Sequence, residues 1–459
     1  MNKLAISLSF ALLTKPLMET PLSKLALLFT VILVTLCWWK TSSAEDLTTV
    51  YRLALKNDAE LMIAESNYLA AIEALPLAQS RNRPQVFFNA EGRHIEADDV
   101  DTGTNSSDNT RYGLNLTQSL YNTEFDGDIE IAEANTRAEL ARLNDARQSL
   151  LLRVAQTYFS ILGAEDNVDF TYAERTAIAR QLEEAQKRFE VGLIAITDVV
   201  EAQASFDNSE AQVILAENIL ENAWQALAVL TADNSIRKLA PLGDDLKLSL
   251  PDPVTVDAWV TLALNNNLEL LAAQENLNAA RYDRDKNYRN RYPTLDFVAS
   301  YESIDVDDEL LGDTDRDDLS VGIELEIPLY AGGRLPAERT QAEAQFRAAQ
   351  NTSLLQSRLA IQQARTAYLD VVSGISQVKA LKQAFKSSQI ARDATQAGFE
   401  VGTRTSVDVL ISLRETYRTQ RDYAGSRYEY LLNKLRLKQA AGILTEDDLK
   451  DTNEFLIKQ

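Results

Sequence analysis

One pattern occurs twice, 210 residues apart, and it restricts the possible folds more than any other feature. Phe189-Glu190-Val191-Gly192 runs into Leu193-Ile194-Ala195-Ile196-Thr197-Asp198-Val199. Phe399-Glu400-Val401-Gly402 runs into Thr403-Arg404-Thr405-Ser406-Val407-Asp408-Val409. Charged, Ala-rich helical sequence flanks both copies. A glycine inside such sequence, with an aspartate a turn and a half later, reads as the end of one helix and the cap of the next. Asp198-Val199-Val200-Glu201 and Thr405-Ser406-Val407-Asp408 each fit a capping box. Both stretches are therefore read as tight hairpins at the far end of long helices.

The repeat extends over the whole chain. Leu53-Ala54-Leu55-Lys56-Asn57 matches Leu262-Ala263-Leu264-Asn265-Asn266 at an offset of 209, and Arg83-Pro84, Gly113 and Leu120-Tyr121 match Tyr292-Pro293, Gly322 and Leu329-Tyr330 likewise. Tyr158 and Tyr368 match at 210. A unit of this length is no solenoid repeat. It implies two-fold internal pseudo-symmetry.

The fold class follows unit by unit: mainly α with a small β part, in the order helix, two strands, very long helix, hairpin turn, return helix. An amphipathic helix is expected over 46–82 and again over 254–291, stopped by Pro84 and Pro293. Two alternating segments follow. Val86, Phe88 and Ala90 share one face, as do Tyr112, Leu114 and Leu116; in the second unit Leu295, Phe297, Ala299 and Tyr301 do so, and Leu319, Val321, Ile323, Leu325 and Ile327. This period of two marks strands with one apolar and one polar face. The acid-rich stretches Ala97–Thr110 and Ser303–Asp317 read as exposed loops. Helices over 124–190 and 334–400, with no proline after Pro336, would each span roughly 100 Å. Return helices are expected over 198–231 and 408–441. The first repeat covers 45–239, a linker 240–253, the second repeat 254–441 and a charged tail 442–459.

Residues 1–44 read as a signal peptide: lysines precede an uncharged run from Leu25 to Trp39, and Ser42-Ser43-Ala44 offers a cleavage site. The run is short for a spanning helix; an uncleaved anchor is the alternative, and Leu36 argues against lipidation of Cys37. Losing four lysines and one glutamate leaves 42 basic and 67 acidic side chains, a net charge of −25, and no cysteine. A nucleic-acid partner is excluded on charge. With one cysteine and one histidine, His94, in the full chain, Cys/His metal sites are excluded and no cofactor is expected. No nucleophile–base set or cofactor loop points to an enzyme, and no paired-acid motif stands out among the abundant carboxylates.

Four strands cannot close a barrel with an interior; about eight is the smallest useful number. An open sheet with a greasy face leaves edges exposed, whereas two copies would supply eight strands and three copies twelve. Apolar-out, polar-in alternation behind an export signal is the pattern of an outer-membrane β-barrel. A soluble sheet packed on the helices, within a periplasmic coiled-coil scaffold, is the alternative, but it gives no reason for helices of roughly 100 Å.

Both repeats resemble the TolC-type outer-membrane channels of efflux and type I secretion. The resemblance is carried by the two Val-Gly turns, by Gln118-Ser119-Leu120-Tyr121 and by Pro328-Leu329-Tyr330-Ala331-Gly332-Gly333. It implies a homotrimer, a 12-stranded β-barrel in outer-membrane lipid, and a long α-helical barrel reaching into the periplasm, in which the shorter helices stack end to end. It also implies an exit duct fed by an inner-membrane ABC or RND-type transporter through a periplasmic adaptor. At the tip it implies that Thr197 and Asp198 tether the inner hairpin, with Arg404 as ionic partner of Asp198, and that three copies of Asp408 line the closed pore. Phe399 stands where the family often has a hydrogen-bonding tyrosine, and Ile411 where some members carry a second acidic ring. Val191, Gly192, Leu193, Ile194, Ile196, Val401, Gly402 and Thr403 make a tip suited to docking the adaptor, since apolar turn residues suggest a partner surface. Simple helix capping for the two aspartates, a solvated charge for Arg404, and packing within the trimer for the apolar residues are the plainer readings.

Overall fold

The structure, a computed structural model, describes residues 44–99, 103–308 and 312–457; the expected signal peptide and Cys37 lie outside them. The elements run α1 (Leu47–Asn57), α2 (Ala59–Ser80), β1 (Gln85–Asp99), β2 (Gly103–Tyr121), α3 (Thr123–Glu190), α4 (Ile196–Thr231), α5 (Val256–Asn266), α6 (Leu268–Arg289), β3 (Thr294–Asp308), β4 (Thr314–Glu326), α7 (Arg334–Glu400), α8 (Ser406–Ala440) and α9 (Glu446–Asn453). At 1.5 Å per residue the 68 residues of α3 and the 67 of α7 are each about 100 Å long.

The four strands form one antiparallel sheet in the order β1-β2-β3-β4. Its register aligns the alternation found in the sequence. Phe88 pairs with Leu114, Leu114 with Tyr301, and Tyr301 with Leu319; Val86, Leu116, Ala299 and Val321 form the row beneath. These rows make one continuous apolar face. Among the described residues no helix covers it: Val321, Ile323 and Leu325 are each at least 60% exposed. That disposes of a soluble sheet packed on the helices. The opposite face is mainly polar despite Phe87, Val298, Ile304 and Val306, with Asn115 donating to Asn89 at 2.8 Å, Ser300 bonded to Ser320 at 3.0 Å and Arg111 paired with Glu302 at 3.1 Å. The six residue steps from Leu325 to Leu319 rise about 20 Å, close to the apolar band of an outer-membrane barrel.

Two expectations need correction here. Within the stretches 97–110 and 303–317, expected as loops, the described residues are strand except Gly312 and Asp313. β1 continues to Asp99, β2 starts at Gly103, β3 continues to Asp308 and β4 starts at Thr314. The ladder is held by backbone hydrogen bonds, so it persists across 314–317, where both faces have turned polar, and across 303–307, where Ile304 and Val306 move the period of two to the other face. The helices expected over 46–82 and 254–291 are each two helices. Asp58 ends α1 and caps α2 by accepting from Leu61 N at 2.8 Å; Asn267, 209 residues on, ends α5 and caps α6 by accepting from Leu270 N at 3.0 Å. Short polar side chains compete with the helix for its own N–H groups, so one placed mid-pattern breaks it.

These breaks are where short helices meet end to end. Asn57 Nδ2 donates to Thr231 O at 2.8 Å, joining the end of α1, at its break with α2, to the end of α4, and Asn267 Nδ2 donates to Ala440 O at 3.1 Å, joining the start of α6 to the end of α8. The composite α4–α2 and α8–α6 rods run alongside α3 and α7. The largest buried cluster sits around these joints, with Trp259, Tyr158, Phe159 and Tyr430 at its centre. Tyr158 donates to Ala240 O at 2.8 Å, Trp259 Nε1 to Pro253 O at 2.7 Å, and Tyr430 to Ser249 O at 3.0 Å, so the linker is strapped across the middle. The tail joins it: α9 docks on α1, where Asn453 Oδ1 accepts from Leu47 N at 3.0 Å. Among the described residues no helix is long and apolar enough to cross a membrane.

Candidate gate at the helical tip

The doubled turns have nearly the same backbone. In the first, Gly192 takes φ +78°, its N–H donates to Phe189 O at 2.9 Å, and Leu193 N donates to Arg188 O at 2.8 Å. In the second, Gly402 takes φ +80°, its N–H donates to Phe399 O at 3.1 Å, and Thr403 N donates to Gly398 O at 2.8 Å. Each is a Schellman closure, in which glycine adopts the left-handed conformation that satisfies the last helical carbonyls.

The two helix starts differ. Thr405 caps α8 in a complete capping box: Asp408 N donates to Thr405 Oγ1 at 3.2 Å and Thr405 N donates to Asp408 Oδ2 at 3.0 Å. The Thr405 backbone N–H, then the Thr405 hydroxyl, then the positive charge of Arg404 hold the Asp408 carboxyl below the usual aspartate range. In the first hairpin Ala195 is the cap and makes no side-chain bond, and α4 begins at Ile196, so Asp198 lies inside the first turn and the expected capping box from 198 to 201 is absent. An acid there still favours the positive end of the helix dipole.

The candidate residues fall into three positions. Val191, Leu193 and Val401 project from the extreme tip, 69%, 72% and 76% exposed. Gly192, Ile196, Thr197, Gly402, Thr403 and Arg404 are exposed beside them, while Asp198 and Asp408 are half covered. Ile194 turns inward, packing with Val199 and Phe206 against Ile178, Leu182, Ala202, Leu410 and Leu413, the small core that fastens the hairpins together. Asp198 and Arg404 are not brought together within one chain: among the described residues no ion pair joins them. Ile411, one helical turn beyond Asp408, is 60% exposed and lines a groove of about 610 Å³ with Leu215, Ile219 and Arg414.

Two residues that the sequence did not single out complete the tip. The Arg188 guanidinium lies over the Phe399 ring, 4.3 Å from its centroid, and leaves Phe399 8% exposed. Gly398 lets Arg404 fold back along α7, since a Cβ there would lie 2.8 Å from Arg404 Cγ. Gly398 is the residue that matches Arg188 at an offset of 210, which is the only sequence signal that marks either one.

An uncovered lipid-height apolar band on an open sheet, carried by helices of about 100 Å that end in paired tight turns, defines a membrane-inserted channel subunit. Outer membrane efflux proteins match residues 50–233 and again 259–443, offset by 209 at the starts and 210 at the ends, which is the internal repeat itself. The chain belongs to this outer membrane efflux protein family and is an outer-membrane channel protein. It is similar to outer membrane protein TolC of Vibrio cholerae, 35% identical over 416 residues that cover 90% of this chain and 94% of that one. It is also similar to proteases secretion protein PrtF of Dickeya chrysanthemi, 28% identical over 423 residues, 89% of this chain and 90% of that one. The solved Campylobacter jejuni CmeC outer membrane channel shares the fold, with a TM-score of 0.75 at 17% identity and 92% of each chain covered.

Proposed function

We propose that three copies of this chain form the passive exit duct of a tripartite efflux or type I secretion system. An inner-membrane ABC or RND-type transporter supplies the energy, and a periplasmic adaptor docks on the tip. The observation that carries the reading is the all-antiparallel sheet with free edges at β1 and β4. An even number of strands per chain lets β4 of one copy pair with β1 of the next without breaking the antiparallel order, and three copies give twelve strands. A closed barrel removes the edges and sets the apolar rows against outer-membrane lipid.

At the tip, Thr197 and Asp198 of one copy meet Arg404 of a neighbouring copy, since among the described residues of one chain no ion pair joins Asp198 to Arg404. Asp408 lines the constriction, three carboxylates face one another, and the acidic duct draws cations. The exposed Val191, Leu193 and Val401 receive the adaptor, helix hairpin to helix hairpin. Neither Arg404→Ala nor Asp198→Ala removes a core side chain. Each is expected to raise open probability in planar bilayers about tenfold, the effect of losing one charge-assisted link. Unchanged opening in both would leave these residues as solvated charges and end the gate assignment.

A further inference from the structure

The two hairpins are joined by a contact whose role the gate residues do not account for. Arg188 lies in the last turn of α3, in the first hairpin; Phe399 lies in the last turn of α7, in the second. The guanidinium sits 4.3 Å from the ring centroid. Glu184, one turn back on α3, accepts from Arg188 Nη2 at 2.6 Å and fixes the plane of the group. Both residues also belong to the turn closures: Arg188 O accepts from Leu193 N, and Phe399 O accepts from Gly402 N. A displacement of either turn therefore shifts one half of the stack.

The contact runs in one direction only. Phe189, the repeat partner of Phe399, is 41% exposed, and among the described residues no cation stacks on it. The reason is the residue at the position matching Arg188, which is Gly398. The second repeat has no arginine there, and the open space on α7 takes the stem of Arg404. One substitution between the repeats thus frees Arg404 to lie along the gate and leaves Arg188 as the cation that reaches across.

We propose that Arg188 and Phe399 form a clamp that keeps the two hairpins of each chain together in the closed tip, with Arg188 as the positioning residue and Glu184 orienting it. The clamp rests on the reading of the tip as a gate. An arginine over an aromatic face is held by the ring quadrupole and adds to packing. Unlike a hydrogen bond from a tyrosine hydroxyl, it tolerates sliding parallel to the ring. The clamp holds the hairpins in register while the closed tip fluctuates, and it fails when they part.

The test is a double-mutant cycle on the purified full-length channel in planar bilayers, with Arg404→Ala measured alongside and thermal melting of the detergent oligomer as a control. Arg188→Gln and Phe399→Leu are each expected to raise open probability about three- to tenfold, and the double variant no further than either alone, because both remove one contact. Phe399→Trp, which strengthens the ring quadrupole, is expected to open no more often than the unaltered channel, a rank order that apolar packing does not produce. Multiplying effects in the double variant, or Phe399→Leu lowering the melting temperature without raising opening, would overturn the clamp. If Arg404→Ala opens the channel while the Arg188 and Phe399 variants do not, the clamp falls and the gate stands. If none of them opens it, both fall.

Discussion

Arg153→Ala is expected to destabilise the protein by about 3 kcal/mol, although it lies far from the tip and from the sheet. Asp58 is 3% exposed at the break between α1 and α2, and Arg153 of α3 holds its carboxylate in a fork at 2.8 and 3.0 Å. That carboxylate also accepts from Leu61 N, so it cannot turn away to water without uncapping α2. Removing the arginine strands a buried charge, which costs more than the pair itself is worth. The second repeat provides the control. Asn267 stands where Asp58 does and caps α6 without a charge, while Gln362 and Gln363 stand at offsets of 209 and 210 from Arg153. Adding Asp58→Asn to Arg153→Ala should therefore restore most of the loss in thermal unfolding of the detergent-solubilised protein. A single Arg153→Ala variant as stable as the parent would show that the joint between the stacked helices does not depend on this pair.

Gly442→Ala should be more damaging than the same change at either tip glycine. All three residues close helices in the same way: Gly442, at φ +71°, donates to Gln439 O at 2.8 Å, and Ile443 N donates to Lys438 O at 2.9 Å. Their surroundings differ. A Cβ at Gly192 or Gly402 would meet nothing within 4 Å, so those variants carry only the left-handed strain, about 1–2 kcal/mol. A Cβ at Gly442 would lie 2.0 Å from Asn266 O and 2.4 Å from Asn266 C, inside the backbone of the α5–α6 joint. Either that joint or the start of the tail must move, and with the tail goes α9, whose Asn453 holds Leu47 N and Asp46. A loss of about 4 kcal/mol or more is expected, with faster proteolysis of the tail. Equal melting temperatures for the Gly402→Ala and Gly442→Ala proteins would contradict this.

What the sequence disclosed, and what it did not, follows from the range of the interaction concerned. Glycine at a helix end, proline at a helix stop and apolar alternation in a strand are local signals, and the chain prints each of them twice. The offsets among Leu53, Tyr121, Phe189 and their partners therefore carry the architecture in the sequence itself. The breaks at Asp58 and Asn267 were hidden because an acid or amide on one helical face resembles a solvent position until the side chain is found buried. The ends of β1, β2 and β4 are hidden because polar residues on both faces erase the period of two while the backbone ladder goes on, and that of β3 because Ile304 and Val306 carry the period on the opposite face. At the tip, the cap of α8 was legible in Thr405 and Asp408. The start of α4 is not legible: Ala195 caps the helix with no side-chain signal, and the expected start at Asp198 lies two residues inside it. The stack of Arg188 on Phe399 joins residues more than two hundred positions apart and had no local sign. Asp198 and Arg404 are separated in a single chain, so any meeting between them is a property of the assembly.

The most direct test of the account is single-channel recording of the purified protein after reconstitution into planar lipid bilayers. With a sheet whose apolar rows need lipid and whose edges need neighbouring copies, and with 67 acidic against 42 basic side chains beyond residue 44, the account predicts discrete, cation-selective conductance steps from a detergent-stable oligomer. A monodisperse protein that leaves the bilayer silent, or that conducts without preference for cations, would contradict it.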